Sequence, residues 1–184
     1  KSLGAKILAK QAAKKIQKWA SNPIETQQKT FQNLITKAKE TSFGKDHNFH
    51  TIKTHQDFVK HVPVRDYEDL KDYFKRTVNG EENVLWKGKP TYIAKTSGTT
   101  SGAKYIPITK QSMPSHIEAA KNALLCYIEE TGNVDFVNGK MIFLQGSPEL
   151  ELKNGINIGR LSGIVAHFVP KYLQKNRLPS WETN

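Results

Sequence analysis

The first half of the chain carries apolar residues at the three- and four-residue spacing of amphipathic helices. A first helix is predicted over residues 3–20, where lysines recur every four residues. Its apolar stripe consists of Ile7, Leu8, Ala12, Ile16 and Trp19. We expect this stripe to pack on the domain and the lysines to face solvent.

A second helix is predicted to begin near Asn22, which can cap it, with Pro23 at the first helical position and Glu25 where a capping-box acid belongs. This helix ends before Ser42. Its predicted buried face consists of Phe31, Leu34, Ile35 and Ala38.

Two shorter helices are predicted next. Thr54 and Asp57 are typical of a helix start, and this helix runs through His61 until Pro63 stops it. Residues 65–77 are rich in charge and are predicted to form the second. Its inward side chains are Leu70, Tyr73 and Phe74.

The pattern changes near Asn83 from helical spacing to short extended runs separated by turn residues. Strands are predicted at 83–86, 91–95, 105–108 and 140–144, the last of them buried. One long helix, 115–131, is terminated by Gly132. The chain is therefore predicted to belong to the α/β class and to be mainly helical from 3 to 78.

The segment from Thr96 to Lys104, here called the phosphate loop, combines glycine, hydroxyl and lysine side chains between two predicted strands. Gly98 and Gly102 allow backbone N–H groups to turn towards one point at little steric cost. The hydroxyl groups can donate further hydrogen bonds to phosphate oxygens, and Lys104 adds a mobile positive charge. The segment is predicted to bind a polyphosphate.

The phosphate loop differs from two better-known glycine-rich loops. Ala103 and Tyr105 stand where a P-loop requires a glycine and a hydroxyl residue, and the dinucleotide pattern G-x-G-x-x-G is absent. A flexible Ser/Thr/Gly turn without a ligand is the plain alternative. The terminal lysine and the flanking strands favour the phosphate site.

The loop sequence Thr-Ser-Gly-Thr-Thr-Ser-Gly-Ala-Lys resembles the first signature of the adenylate-forming superfamily, which includes acyl-CoA synthetases, peptide-synthetase adenylation domains and firefly luciferase. The residues that follow the loop, Tyr105-Ile106-Pro107, narrow this resemblance. The chain resembles the Gretchen Hagen family of auxin-responsive acyl acid–amido synthetases, also called the auxin-responsive promoter family. The resemblance extends to about Gly163. Upstream segments that fit are 41–45, Phe58, 62–64, 67–69 and 80–86.

The resemblance implies an ATP-dependent ligase that adenylates a carboxylic acid and joins it to an amino acid as an amide. ATP and Mg²⁺ are the implied cofactors, with the magnesium ligands outside this chain, and Lys104 is the implied catalytic residue. The residues implied to bind the ATP phosphates are Ser97, Gly98, Thr99, Thr100, Ser101, Gly102 and Lys104. Fixed donors there lower the barrier, because negative charge develops on the leaving pyrophosphate.

The resemblance also implies that the chain is part of the large N-terminal domain of an adenylate-forming enzyme. It would be an incomplete adenylation domain, mainly helical over 1–80 and α/β with the phosphate loop over 81–184. The family's later signatures for adenine, ribose and magnesium, and its C-terminal domain, are absent from the sequence. We expect these 184 residues to bind nucleotide weakly and to be inactive without the missing C-terminal part of the same protein.

The net charge of +11 favours anionic partners without choosing among them. Two alternative functions stay open: a ligase with coenzyme A as the acceptor, and a non-catalytic basic module whose residues 1–20 bind anionic lipid or a partner. Nucleic acid is not expected, because no recognised motif accompanies the charge. A membrane partner is not expected either, because the apolar face of residues 3–20 is modest and rich in alanine, with Trp19 as its aromatic residue. No apolar stretch is long enough to span a bilayer.

A few further residues bear on function. The single cysteine, Cys126, fits a reducing, cytoplasmic location, and its apolar neighbours predict that it is buried. The histidines form no convincing metal pattern, since His47 and His50 lack a third ligand. Segments 145–148 and 161–163 are predicted either to line a ligand cleft or to form ordinary turns.

Overall fold

The computed structural model describes residues 2–96 and 102–180. The chain divides into two compact units. Unit 1 is built from the segment up to Pro23, the segment from Gln111 to Glu149 and the segment from Arg160 onward. Unit 2 is built from Ile24–Lys110 and Leu150–Gly159.

The described residues form eight α-helices and six strands. The helices are α1 (Ser2–Ala20), α2 (Pro23–Ala38), α3 (Ser42–Asp46), α4 (His55–His61), α5 (Lys71–Val78), α6 (Met113–Thr131), α7 (Leu161–Ala166) and α8 (Lys171–Gln174). The strands are β1 (Tyr92–Thr96), β2 (Lys104–Ile108), β3 (Met141–Ile142), β4 (Glu151–Lys153), β5 (Ile156–Gly159) and β6 (Arg177–Leu178). The prediction of an α/β chain with a mainly helical first part is confirmed.

A four-stranded mixed sheet forms the centre of unit 2, with the strand order β2-β1-β5-β4. β1 is antiparallel to β2 and parallel to β5, and β4 is antiparallel to β5. Ile93, Ile156 and Ile158 are buried together, and Val78 and Tyr105 pack against them. This buried cluster fixes the two strands that lead into and out of the phosphate loop.

The second helix, α2, begins at Pro23 as predicted. Ile35 and Ala38 are buried, and Phe31 packs against the cluster that they form. Leu34 is 48% exposed, so its predicted burial is wrong. Leu34 lies about 100° around the helix from Ile35, beside the buried stripe and not within it.

The next two helices differ in how well their starts were predicted. Thr54 forms the predicted capping box with Asp57 ahead of α4. The predicted helix over 65–77 is too long, because α5 begins only at Lys71. Residues 67–70 form turns instead, in which Leu70 N and Lys71 N donate to the carbonyl oxygens three residues back, of Tyr67 and Glu68, and not four as in an α-helix.

The strand predicted at 83–86 does not form. Asn83 has a positive φ of 57°, and its Oδ1 accepts a hydrogen bond from Gly88 N at 2.8 Å. The Asn83 and Val84 carbonyls accept hydrogen bonds from Ser42 N and Phe43 N at the start of α3. The segment is therefore a loop that satisfies unpaired donors of a helix that the sequence did not predict.

In unit 1, α1 packs against α6 through small side chains. Ala9 is fully buried in a cluster with Leu125 and Ile128 of α6. The predicted apolar stripe is wrong in large part, since Ile7, Leu8 and Trp19 are each about half exposed. Alanines let two helix backbones approach closely, so they occupy the contact and leave the larger side chains beside it.

Two further burial predictions are wrong. β3 covers only Met141–Ile142, and Ile142 and Leu144 are 75% and 98% exposed. Among the described residues, β3 pairs with β6 alone, in a two-stranded parallel sheet, so most of its apolar surface lies outside the cores that these residues form. Cys126 is exposed, because the buried stripe of α6 passes through its neighbour Leu125 and through Ile128.

The β4–β5 hairpin was also not predicted. Asn154 and Gly155 both have positive φ, 52° and 75°, as in a type I′ turn. Asn-Gly is a strong hairpin signal, and it was available in the sequence. This hairpin adds β5 to the sheet beside β1.

We expect Gly44→Ala to destabilise the protein. A Cβ at Gly44 would overlap the backbone carbonyl oxygen of Ala38, the last residue of α2. Backbone atoms cannot yield cheaply, so a loss of about 1–3 kcal/mol in the free energy of unfolding is expected. Gly4→Ala is the matched control: its Cβ meets nothing within 4 Å, and alanine raises helix stability by about 1 kcal/mol. Equal urea midpoints for the two variants would contradict this packing.

Candidate functional site

The phosphate loop joins two neighbouring antiparallel strands. Thr96, the last residue of β1, pairs with Lys104, the first residue of β2. The two arms of the loop therefore start side by side on a rigid sheet. Outside the described residues lie Ser97, Gly98, Thr99, Thr100 and Ser101. Their implied role at the ATP phosphates stays a prediction.

Gly102 has a φ of 84°. This is the left-handed region that glycine enters at little cost and that residues with a Cβ rarely adopt. The chain turns here immediately before β2 begins at Lys104. Glycine at this position is therefore required by the backbone and not by lack of space.

Lys104 lies over an aromatic ring. Its Nζ is 5.4 Å from the ring centroid of Tyr67, within the range of a cation–π interaction. The Tyr67 hydroxyl accepts a hydrogen bond from Tyr105 N at 2.9 Å. Tyr67 thus contacts both the backbone of β2 and the charge that β2 carries, which restricts where the ammonium group can move.

The Tyr67 ring also stacks on Phe74 of α5. The two rings stack with centroids 4.8 Å apart and planes 15° from parallel. Stacked rings of this kind add about 0.5–1.5 kcal/mol beyond the area that they bury. Tyr67 is therefore a preorganised platform for Lys104.

Polar contacts anchor α5 in the same unit. The Tyr73 hydroxyl donates to Asp46 Oδ2 at 2.6 Å. Burial raises the pKa of Tyr73, and the hydrogen bond to Asp46 raises it further, so the phenol stays neutral and donates. Arg76 Nε donates to Glu81 at 2.8 Å, and its Nη2 donates to Ser42 at 2.7 Å.

Glu81 has an ion-pair partner among the described residues, whereas Lys104 has none. The hydrogen bond from Arg76 holds the pKa of Glu81 below its ordinary value, so this carboxylate is ionised and paired. No carboxylate of the described residues forms an ion pair with Lys104. The lysine charge at the end of the phosphate loop is therefore available to an anionic ligand.

Tyr67 is a functional candidate that sequence reasoning did not assign. In the sequence, Tyr67 was noted only because segment 67–69 fits the family. Phe74 was predicted only to be an inward residue of a helix. Tyr67 lies 38 residues before Tyr105, to which it is hydrogen-bonded. No local pattern connects positions so far apart, so only the folded structure reveals the contact.

Segments 145–148 and 161–163, predicted as cleft lining or turns, lie together in unit 1. Gly146 N donates to Ser162 Oγ at 2.9 Å. A Cβ at Gly163 would overlap the Ser147 carbonyl oxygen, so the two segments touch through their backbones. Three of their residues line an open surface depression of about 390 Å³: Gln145, Gly146 and Ser162. The other residues that line it are Phe143, Leu144, Arg160 and Pro179. Whether these segments line a ligand cleft or form ordinary turns stays a prediction.

The paired histidines have separate environments. His47 is buried and stacks on Phe43, whose carbonyl oxygen lies 2.8 Å from His47 Nδ1, whereas His50 is exposed. Within residues 2–96 and 102–180 no group of three His, Cys, Asp or Glu side chains is placed to hold a metal ion. His47 is best explained as part of the aromatic core of unit 2.

The basic helix α1 exposes apolar as well as charged residues, because Leu3 is 75% exposed and Trp19 is 50% exposed. Lys15 forms an ion pair with Glu118 of α6, and such exposed pairs contribute little stability. None of the helices in the described part of the chain combines the length and the apolar character that crossing a bilayer requires.

Most of the chain matches a known protein family. A family model described as "GH3 family N-terminal domain" matches residues 12–183. The indole-3-acetic acid-amido synthetase GH3.15 of Arabidopsis thaliana is 33% identical over 125 residues, which are 66% of this chain and 20% of that protein. The jasmonoyl–L-amino acid synthetase JAR6 of Nicotiana attenuata is 30% identical over 107 residues, 56% of this chain and 18% of that protein. The chain thus spans about a fifth of the length of these relatives.

Solved structures give the same fold. The structure described as "AtGH3.15 acyl acid amido synthetase in complex with 2,4-DB" superposes with a TM-score of 0.75 at 21% identity, covering 96% of this chain and 31% of that one. A second structure of GH3.15 acyl acid amido synthetase has a TM-score of 0.68 over 80% of this chain and 27% of that one. The predicted fold class is confirmed by these superpositions.

Proposed function

Because the chain belongs to the GH3 family through its N-terminal domain, we propose that the protein adenylates a carboxylic acid with ATP and transfers the acyl group to an amino acid. The family resemblance found in the sequence is thereby confirmed. The activity of the whole protein is the proposal, since the chain spans only about a fifth of its curated relatives.

The observation that carries the proposal is the geometry of Lys104. This lysine follows a left-handed glycine, starts a strand beside the other arm of the loop, and lies over the Tyr67 ring. A cation held in place and not matched by a described carboxylate is suited to an anion that arrives and departs, as the phosphates of ATP do.

In the first half-reaction, an oxygen of the carboxylate attacks the α-phosphorus of ATP. The bond from that phosphorus to the bridging oxygen of pyrophosphate breaks, and the acyl-adenylate forms. Lys104 and the donors of the phosphate loop stabilise the charge that develops on the leaving pyrophosphate. In the second half-reaction, the amine nitrogen attacks the acyl carbon, AMP departs with the electron pair, and the amine loses a proton.

Mg²⁺ does not fit the described residues, which contain no cluster of metal-ligating side chains. We propose that its ligands lie elsewhere in the protein and that it neutralises phosphate charge when bound. We also propose a cytoplasmic setting, which the need for ATP and the single cysteine support.

An amino acid is favoured over coenzyme A as the acceptor. The names of the relatives support this choice, since they describe amido synthetases of indole-3-acetic acid and a jasmonoyl–L-amino acid synthetase.

The test is acid-dependent ATP–pyrophosphate exchange by the full-length protein over a panel of carboxylic acids. Exchange with one acid, followed by amide formation with an amino acid, is the expected result. Thioester formation with coenzyme A instead of an amide would replace the proposed acceptor. No exchange with any acid would overturn the adenylation itself.

Tyr67 is expected to act as a positioning residue for Lys104. Tyr67→Leu removes the ring and should slow adenylation by about tenfold, the value of a partly desolvated cation–π contact. Tyr67→Phe keeps the ring and loses only the hydrogen bond from Tyr105 N, so its effect should be smaller. The measurement is single-turnover formation of the acyl-adenylate.

A double-mutant cycle separates positioning from a general structural role. In a Lys104→Met background, Tyr67→Leu should cost little more, because the charge that it positions is gone. The same loss in both backgrounds would show that Tyr67 acts independently of Lys104.

A further inference from the structure

One charged side chain of unit 1 is buried without a partner. Arg177 of β6 is only 5% exposed, and its Nη2 atom is enclosed and has no hydrogen-bond partner. Within residues 2–96 and 102–180, no carboxylate forms an ion pair with Arg177. An arginine keeps its charge in a protein, and a buried charge is strongly unfavourable unless it is paired. The counter-ion of Arg177 is therefore expected from outside the described residues.

Arg177 is fixed by the strand that carries it. β6 pairs in parallel with β3, and Arg177 lies opposite Met141. Met141 N donates to Asn176 O at 2.7 Å, and Phe143 N donates to Leu178 O at 2.9 Å. These two bonds flank Arg177, so the strand cannot turn its side chain out into water without breaking them. The Nε and Nη1 atoms are not enclosed as Nη2 is, which leaves an edge of the guanidinium group that a carboxylate can approach.

The sheet formed by β3 and β6 is too small to be stable by itself. Each strand has two residues, the pairing is parallel, and no third strand of the described part of the chain joins them. Parallel strands are normally covered on both faces and belong to larger sheets. Ile142, Leu144 and Leu178 are instead 75%, 98% and 41% exposed. Neighbouring exposed apolar residues of this kind mark a surface that packs against something else.

The backbone of β3 also has a free edge. Met141 N and Phe143 N both donate to β6, so the N–H group of Ile142 between them points to the opposite side. Among the described residues this N–H group has no hydrogen-bond partner. An unpaired strand edge is a template for pairing with another strand.

The length of the relatives indicates what covers this surface. The chain spans 20% of one curated relative and 31% of the solved structure that superposes over 96% of it. Most of a protein of this family therefore lies outside these residues. A second copy of the same surface is disfavoured by charge, because segments 139–148 and 152–181 contain no Asp or Glu. A copy would bring further cations to Arg177 and no carboxylate.

We propose that the part of the polypeptide outside these 184 residues docks on this surface. One of its strands pairs with the free edge of β3, and one of its Asp or Glu side chains forms an ion pair with Arg177. The flat fork of a guanidinium group matches the two oxygens of a carboxylate, and the docked segment removes the apolar side chains of β3 from water. The proposal does not depend on which reaction the protein catalyses.

Hydrogen–deuterium exchange on the unaltered full-length protein tests the strand. The Ile142 amide is expected to exchange about a hundredfold or more slowly than an unstructured amide, because it donates to the added strand. Residue-resolved mass spectrometry is the measurement. Exchange at the unprotected rate would overturn the pairing. Protection that is lost when the protein is diluted would assign the surface to a second copy and would overturn the proposal as well.

Arg177→Met in the full-length protein tests the ion pair. It leaves the partner carboxylate without its cation, so the melting temperature should fall by about 5 °C or more. Arg65→Met is the matched control, since it removes an exposed arginine of unit 2, and it should shift the melting temperature by about 1 °C or less. If Arg177 had no partner, methionine would relieve a lone buried charge. An unchanged or raised melting temperature would therefore overturn the ion pair.

The partner is identified in the Arg177→Met background by changing the remaining acidic residues of the full-length protein to their amides, one at a time. One of these changes outside the 184 residues should recover about half or more of the lost melting temperature, because both charges of the pair are then gone. Glu182 is the acidic residue nearest to Arg177 in the sequence, and Glu182→Gln should give no recovery. Recovery by Glu182→Gln, or by none of the acidic residues, would overturn the proposal.

Discussion

Lys104→Ala in the full-length protein is expected to slow formation of the acyl-adenylate by about a hundredfold or more, the usual cost of removing one stabilising contact from a transition state. Amide formation from a supplied acyl-adenylate should slow far less, because pyrophosphate has already left. Lys104 Nζ lies over the Tyr67 ring and is not part of an ion pair among the described residues, so its charge is available to an anion. Single-turnover kinetics of each half-reaction is the measurement.

Lys110→Ala is the matched control, because Lys110 is an exposed lysine just beyond the other end of β2. It should leave both half-reactions near their original rates. An equal loss in both halves for Lys104→Ala would mean that the lysine is structural, and the functional interpretation of the phosphate loop would fall with it.

Gly102→Val is expected to be at least as harmful to adenylation as loss of the lysine. The φ of 84° at Gly102 is strained for any residue with a Cβ, and most strained for a β-branched one. The change should shift the arm that carries Lys104 and turn the neighbouring N–H groups away from the phosphates. Thr99→Ala should be milder, because neighbouring hydroxyl groups partly replace it.

Gly132→Val provides a control with the same backbone demand. Gly132 has a φ of 68° at the end of α6 and no neighbour that its Cβ would meet within 4 Å. It should lower the melting temperature to a similar degree and leave the adenylation rate of the folded protein largely intact. If Gly102→Val lost only stability, the conformation of the loop would not matter to the chemistry.

Sequence reasoning succeeded where the signal is local. The capping box at Thr54, the proline at the start of α2 and the glycine after α6 each act within one turn of a helix, so the residues that cause the structure are adjacent in the chain. It failed at residues 67–70, which form turns with hydrogen bonds spanning three residues where the charge pattern predicted a continuous helix.

Burial was harder to predict than helix position. Ile7 and Leu8 have the right spacing for a buried stripe, yet Ala9 makes the contact with α6. Periodicity tells which residues share a face, but the partner helix and its distance decide which face is covered. Cys126 follows the same rule, since its neighbour Leu125 lies on the covered side of α6 and Cys126 does not.

The sequence by itself determined the family and the α/β class, because each depends on residue types at fixed short spacing. The phosphate-binding role that it predicts for Gly102, Lys104 and the residues between them and β1 stays a prediction. Only the tertiary structure decided that Tyr67 lies under Lys104 and that Gln145 and Arg160 line one surface depression. These contacts join residues far apart in the chain, and no short-range pattern records them. They form because packing of the sheet and helices brings distant backbones together, at positions set by side-chain volume and not by local spacing.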